Sequence, residues 1–280
     1  MQDRPTATAS TLNPSFRVAG LDMTRIWHCF GNYSHRVDLW TIQRMLRASG
    51  TNVLPINTHR LSRASLRGGL EIGFGGVTVD ELHEKESFEG MVLMLNINHQ
   101  TTAADAVAKT SLAYELTGER VVKLEVLSRD FRTSNDDQLV EAVRELRRLL
   151  PELVLMPLVS NNWISAQRLV ELGCPLLRVM GSDIGSGRGI IDPETFGRIC
   201  TLPVPVVLDG GVATAPDFAT AYAAGAQGCL INSALFAGSA PPDVVLRAFV
   251  RDCASIIASS TLLPDSRPVD VNARESRADR

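Results

Sequence analysis

A lysine and a glutamate two residues apart, Lys123 and Glu125, stand in the run Val121-Val122-Lys123-Leu124-Glu125-Val126. The run reads as a β-strand. Alternation puts Val121, Lys123 and Glu125 on one face and Val122, Leu124 and Val126 on the other. The second face is wholly apolar and demands a covering layer; the first sets an amine beside a carboxylate. Lysine is scarce in this chain: of its 28 Lys and Arg residues, only Lys85, Lys109 and Lys123 are lysine. Arginine keeps its proton, whereas a buried lysine can lose it and attack a carbonyl carbon. The competing reading is a structural Lys–Glu pair on a solvated edge strand, and the strand alone leaves both open.

A second carboxylate, Asp209, ends the apolar run Val204-Pro205-Val206-Val207-Leu208 and is followed by Gly210-Gly211. A carboxylate there is costly unless it is paired, exposed or catalytic. The next strand candidate ends in Ile231-Asn232-Ser233. Glycines let backbone N–H groups converge on an anion, since no Cβ blocks the approach. Gly210, Gly211, Asn232 and Ser233 are therefore candidates for a phosphate site, against the alternative of glycine turns required by geometry alone. Between these groups lies Gly181-Ser182-Asp183-Ile184-Gly185-Ser186-Gly187-Arg188-Gly189, dense in glycine and carrying one cation, Arg188. It reads as a mobile lid. One amine, two carboxylates and a phosphate cradle point to imine formation with a phosphorylated carbonyl compound, followed by proton shuttling beside the imine.

These groups meet only if a regular framework brings their strand ends together. Strand patterns recur at 23–30, 51–57, 91–98, 121–126, 153–160, 176–181, 204–209 and 228–233. Helical patterns at 37–49, 102–116, 135–150, 164–172, 193–200, 215–224 and 242–259 alternate with them, and 79–85 is a further short helix. Eight βα units over roughly 240 residues predict an α/β fold, a closed (β/α)8 TIM barrel, with chemistry at the C-terminal ends of the strands. A doubly wound open sheet is the alternative, weakened by the lack of G-x-G-x-x-G after the first strand. The segment 16–20 reads as a hairpin arm. The connection 58–90, with glycines at 68, 69, 73, 75 and 76, reads as a mobile excursion of functional use. Residues 1–14 and 261–280 are expected to be flexible tails around a barrel domain of residues 15–260.

Composition narrows the function classes. A formal charge of −3 leaves no basic footprint for nucleic acid. No apolar run reaches membrane-spanning length, and 1–14 has no apolar core of a secretory signal. The five cysteines are scattered, which fits reduced thiols in a cytoplasmic protein. The five histidines show no metal-ligand spacing, so no metal is expected.

The same residues resemble the bacterial thiazole synthases (ThiG-like enzymes) of thiamin biosynthesis. Val122-Lys123-Leu124-Glu125-Val126 looks like that family's lysine strand. The segment from Gly181 to Ile190 is similar to its glycine-rich loop, and Val207-Leu208-Asp209-Gly210-Gly211 and Ile231-Asn232-Ser233-Ala234 to its last two strand ends. The resemblance spans about 15–258. It implies that Lys123 forms an imine with a sugar phosphate, that Glu125 and Asp209 are the acid/base carboxylates, and that Gly210, Gly211, Asn232 and Ser233 hold the phosphate. It also implies sulfur delivered as the C-terminal Gly-Gly thiocarboxylate of a ubiquitin-like carrier protein, no cofactor, and a homo-oligomer. Gly185, Gly187 and Arg188 are the residues expected to receive the carrier's tail.

Two stretches depart from the family. Asn57-Thr58-His59-Arg60-Leu61-Ser62-Arg63 lacks the arginine pair expected after the second strand, and Asn96-Ile97-Asn98-His99-Gln100-Thr101-Thr102 replaces Pro-Asn-Thr-Ala-Gly after the third. The family includes natural-product enzymes that make 2-thiosugars, and imine machinery retained beside altered loops fits that branch better than thiazole synthesis from deoxyxylulose phosphate. His59, His99 and Arg60 are then candidates to touch sugar hydroxyls, or ordinary polar loop residues. The rivals are a Schiff-base aldolase, which needs no protein partner, and a catalytically degenerate barrel that only binds the carrier. The retained Lys123, Glu125 and Asp209 oppose the second.

Overall fold

The structure, a computed structural model, describes residues 12–32, 34–62 and 70–260. Eight parallel strands curl into one sheet: β3 (Ile26–His28), β4 (Val53–Asn57), β7 (Val92–Ile97), β8 (Val121–Leu124), β9 (Val154–Val159), β10 (Leu177–Val179), β11 (Val206–Asp209) and β12 (Gly228–Ile231). Their order is β3-β12-β11-β10-β9-β8-β7-β4, the order of a (β/α)8 barrel. These are the eight strands expected from the pattern of 204–209 and its equivalents.

Each strand leads into a helix: α1 (Leu39–Ser49), α2 (Val79–His83), α3 (Ala103–Thr117), α4 (Asp136–Leu149), α5 (Trp163–Glu171), α6 (Pro193–Ile199), α7 (Ala215–Ala223) and α8 (Pro242–Ser259). Local chemistry sets their ends. The Asp38 side chain accepts from Thr41 N at 2.7 Å to start α1, and Gly50 stops it in the left-handed conformation. Asp192 caps α6 as its position predicts. Helix α4 carries Asp136 and Asp137 in its first turn and Arg147 and Arg148 in its last, the arrangement favoured by the helix dipole. Among the described residues no helix is long and apolar enough to cross a membrane.

The alternation of the strands divides the interior in two. Val122, Leu124 and Val126 join the layer between barrel and helices. Val53, Met94, Val121, Met156, Leu176, Val207 and Leu230 fill the barrel itself, and Phe16, Val18, Met23 and Trp27 close its lower end. Phe16 and Val18 belong to the expected hairpin, β1 (Ser15–Val18) paired antiparallel with β2 (Leu21–Thr24). Above this apolar plug the inward positions turn polar.

Between β3 and β4 no ladder forms, and side chains bridge the seam. Asn13 accepts from Ile26 N at 2.9 Å and donates to Ile26 O and Ser49 O at 3.0 and 3.1 Å. Thr24 meets Thr51 at 2.9 Å, and the buried His28 ring meets Ser49 Oγ at 2.9 Å. Burial holds the His28 imidazole down at about 4, so it stays neutral there. The expected tail 1–14 therefore ends sooner: Asn13 is part of the barrel because its amide satisfies backbone groups that no neighbouring strand reaches. Residues 1–11 and 261–280 lie outside the described residues.

The expected excursion 58–90 is more regular than its glycines suggest. Its described part forms the hairpin β5 (Glu71–Ile72) and β6 (Val77–Thr78), which adds to β4 through Asn57 and Glu71, then α2 with a Thr78/Glu81 capping box. Gly75 lies against Val37 and Gly73 against Phe30, so the hairpin covers the upper seam. Gly73 and Gly75 serve close contacts here. Residues 63–69 lie outside the described residues.

Candidate functional site

Lys123 faces the barrel interior from β8, where alternation places it, and is 5 % exposed. Its ammonium pairs with Glu125, which follows the strand on the same face, and donates to Asn96 Oδ1 at 3.3 Å. In the parallel ladder Asn96 is the register partner of Lys123, and Asn57 that of Asn96. Asn96 Nδ2 donates to Asn57 Oδ1 at 3.2 Å, and Asn57 donates in turn to Gly73 O on the β5–β6 hairpin. Asp209 is the last residue of β11, as read from the sequence.

A residue that the sequence reading passed over connects the carboxylates. Arg178, in the middle of β10, has a fully buried side chain. Its Nη2 donates to Glu125 Oε1 at 2.6 Å, its Nε to Asp209 Oδ2 at 2.7 Å and its Nη1 to Met156 O at 3.3 Å. The signal was present: one charged residue in Leu176-Leu177-Arg178-Val179-Met180 is the same anomaly that marks Lys123. The result is a belt of polar side chains across β4, β7, β8, β10 and β11, in which two cations face two carboxylates.

Burial alone would push the Glu125 carboxyl up. The Lys123 ammonium and the Arg178 guanidinium outweigh it and hold Glu125 down at about 2, so it is ionised. Burial would lower the Arg178 guanidinium, but Asp209 and Glu125 raise it above its ordinary value. Cys29, just past β3, also faces this space; burial pushes its thiol up to about 11 and leaves it a poor nucleophile at neutral pH. That leaves the Lys123 nitrogen, which lines the cavity described next, as the candidate nucleophile of the site.

A cavity of about 420 Å³ opens above the belt. Its lining includes Lys123, Glu125 and Asp209, the phosphate candidates Gly210, Gly211, Asn232 and Ser233, and Gly185 and Gly187 of the glycine-rich loop. Gly210 and Gly211 have φ of 104° and 82°, in the region that favours glycine. A Cβ at Gly211 would collide with Ser182 Oγ and Gly189 O. Asn98 Oδ1 and Asn232 Oδ1 are buried without a hydrogen-bond partner among the described residues, and both asparagines line the cavity. His99 lines it too, with φ of 60° and its ring edge-on to Phe131. His59 and Arg60 do not; they pair with Glu71, and His59 stacks on Phe74.

The glycine-rich loop, expected as a lid, makes several bonds to its surroundings. Gly189 N donates to Gly211 O at 2.8 Å, Ile191 N to Gly181 O at 3.1 Å and Ser182 Oγ to Gly189 O at 2.8 Å. Ile184 N donates to Arg132 O at 2.9 Å on the loop after β8. Glycine here permits close approach between loops, and main-chain bonds form where they meet. Arg188, expected to receive the carrier's tail, also lies outside the cavity lining. Its side chain is 57 % exposed and lies 3.8 Å from Asp183 Oδ2. Among the described residues no group of three or more His, Cys, Asp or Glu could hold a metal ion.

The family model "Thiazole biosynthesis protein ThiG" matches residues 31–259. A thiazole synthase of Geobacter sp. (strain M21) is 31 % identical over 246 residues, covering 86 % of this chain and 87 % of the relative. One from Chlorobium phaeovibrioides is 28 % identical over 201 residues, covering 71 % and 73 %. Among solved structures, the BexX/CysO complex of Amycolatopsis orientalis superposes with a TM-score of 0.74 at 24 % identity, covering 91 % of this chain and 99 % of that one.

Proposed function

The chain belongs to the thiazole synthase (ThiG) family of sulfur-transferring enzymes, and from that premise we propose that it places sulfur on a sugar phosphate, forming a 2-thiosugar. The observation that carries the reading is Lys123, held between Asn96 and Glu125 at the floor of a cavity whose opposite wall is the glycine cradle. In this account the reacting form of Lys123 is the neutral amine, whose proton has left to bulk water. The free amine then adds to the open-chain sugar carbonyl, giving the imine and one water. Glu125 and Asp209 move protons between nitrogen and the neighbouring carbons, which shifts the carbonyl along the chain. The carrier's thiocarboxylate sulfur adds to the new carbonyl carbon, the acyl group passes from sulfur to the former carbonyl oxygen, and the carrier leaves as its carboxylate; proton shifts then restore the imine beside the new thiol. Net, one sugar oxygen leaves on the carrier as its carboxylate and one sulfur stays on the sugar, with no change of oxidation state overall. Hydrolysis of the imine returns Lys123.

The sugar phosphate would lie with its phosphate at Gly210, Gly211, Asn232 and Ser233 and its hydroxyls toward Asn96, Asn98 and His99. A wall of amide and imidazole groups suits a polyhydroxylated chain. The carrier's extended Gly-Gly tail would pass Gly185 and Gly187, with Arg188 meeting its negative end. A neighbour of this fold solved together with a second protein, CysO, supports a protein partner here. We further propose that the protein acts in the cytoplasm as a homo-oligomer without a cofactor.

A second reading, thiazole synthesis from deoxyxylulose phosphate, is favoured by the 87 % coverage of the Geobacter thiazole synthase. Purified protein supplied with carrier thiocarboxylate and either a hexose phosphate or deoxyxylulose phosphate separates the two. A thiol-bearing hexose phosphate is the expected product. Turnover of deoxyxylulose phosphate alone would assign the thiazole reaction, and sugar cleavage without carrier would assign an aldolase.

A further inference from the structure

We propose that Arg178 is the positioning residue of this site: its planar fork fixes Glu125 and Asp209 relative to each other and supplies their counter-charge, which releases Lys123 to act as an amine. The inference rests on the reading of Lys123 as nucleophile. A guanidinium with no exposed surface is costly unless its N–H groups are partnered, and here it meets both site carboxylates and Met156 O. Lysine could not replace it, because a point charge cannot present N–H groups to two carboxylates in one plane.

The groups facing Lys123 are Glu125 on its own strand, Arg178 on β10, Asp209 on β11, Cys29 after β3 and His99 after β7. Burial keeps the Cys29 thiol protonated and the His99 imidazole low. Arg178 thus shares Glu125 Oε1 with Lys123 and also holds Asp209. Without Arg178, Lys123 would be the lone cation facing both carboxylates, and they would hold it as ammonium.

The test is the rate of borohydride trapping of a hexose phosphate at Lys123, followed across the neutral and alkaline range in the full chain. Arg178→Met should move the midpoint of the profile upward by about one to three pH units, the usual effect of one charge at such range. Arg178→Lys, which keeps the charge and serves if the methionine variant does not fold, should retain the wild-type midpoint and trap at least roughly fivefold more slowly, as expected for lost charge-assisted hydrogen bonds. A loss of stability alone would lower the yield at every pH without moving the midpoint. A folded Arg178→Met with the wild-type midpoint, or Arg178→Lys with the wild-type rate, would overturn the inference. No adduct at Lys123 in the wild type at any pH would instead remove the imine reading on which it rests.

Discussion

Arg178 and Glu125, 53 residues apart in sequence, stand 2.6 Å apart on the floor of the barrel. With Lys123 on the same carboxylate oxygen, Glu125 is held at about 2 against the upward push of burial. A carboxyl held below its ordinary value of 4.5 contributes stability that is complete above 4.5 and is lost as pH falls toward 2.

Glu125→Gln should therefore be less stable than the wild type at pH 7, and the gap should narrow by roughly 2 kcal/mol by pH 3. Denaturant titrations at the two pH values measure it. A gap of constant size would mean that the Lys123–Glu125–Arg178 cluster does not govern the ionisation of Glu125.

Asn13 gives a prediction about closure of the barrel. Its amide satisfies Ile26 N, Ile26 O and Ser49 O where β3 and β4 do not pair. Asn13→Ala should cost about 1–3 kcal/mol, the range for leaving buried polar groups unpaired. Truncation of residues 1–11 offers the contrast: it should cost much less, and equal losses would contradict this role for Asn13.

The framework was legible because the chain states it repeatedly. Apolar β-branched runs alternate with amphipathic helices, each closed by a residue such as Asp38, Gly50 or Asp192. Lys123, Glu125 and Asp209 stood out as charges in apolar strands, and the cavity contains all three. Arg178 carried the same signal and was missed, since in a chain with so much arginine one more draws no notice; its partners are 53 and 31 residues away. Asn57 and Asn96 likewise reveal nothing until strand register makes them neighbours. In the glycine-rich loop and the 58–90 connection the contacts of the glycines were not legible in the sequence. Composition reports what conformations a glycine permits, not the contacts at Gly73, Gly189 and Gly211 that then hold it.

The phosphate cradle can be tested by charge. Ser233 lines the cavity close to Gly185 and follows β12, the strand paired with the one that ends in Asp209. Ser233→Asp should weaken binding of a phosphorylated sugar by roughly tenfold or more through like-charge repulsion and leave the free sugar unaffected. Calorimetry with both ligands provides the comparison. Equal weakening of the two would place the phosphate elsewhere. Gly211→Val is a poor probe, because its Cβ would strike Ser182 and Gly189 before any ligand.

Arg188 is exposed and only distantly paired with Asp183, so it is available to a partner. Arg188→Ala should leave the Lys123 adduct nearly intact and lower sulfur transfer from the carrier thiocarboxylate by roughly tenfold or more, as expected for a lost charge-assisted contact. Adduct mass and thiol-sugar yield, read from the same reactions, separate the two steps. Loss of both together would put Arg188 on the sugar phosphate instead of the carrier.

The account turns on the Lys123 amine, and borohydride reduction in the presence of a hexose phosphate tests it most directly. Peptide mass spectrometry should find the reduced sugar at Lys123, and Lys123→Ala should abolish the adduct while its circular dichroism matches the wild type. Trapping at Lys85 or Lys109, or turnover that persists in Lys123→Ala, would contradict the account.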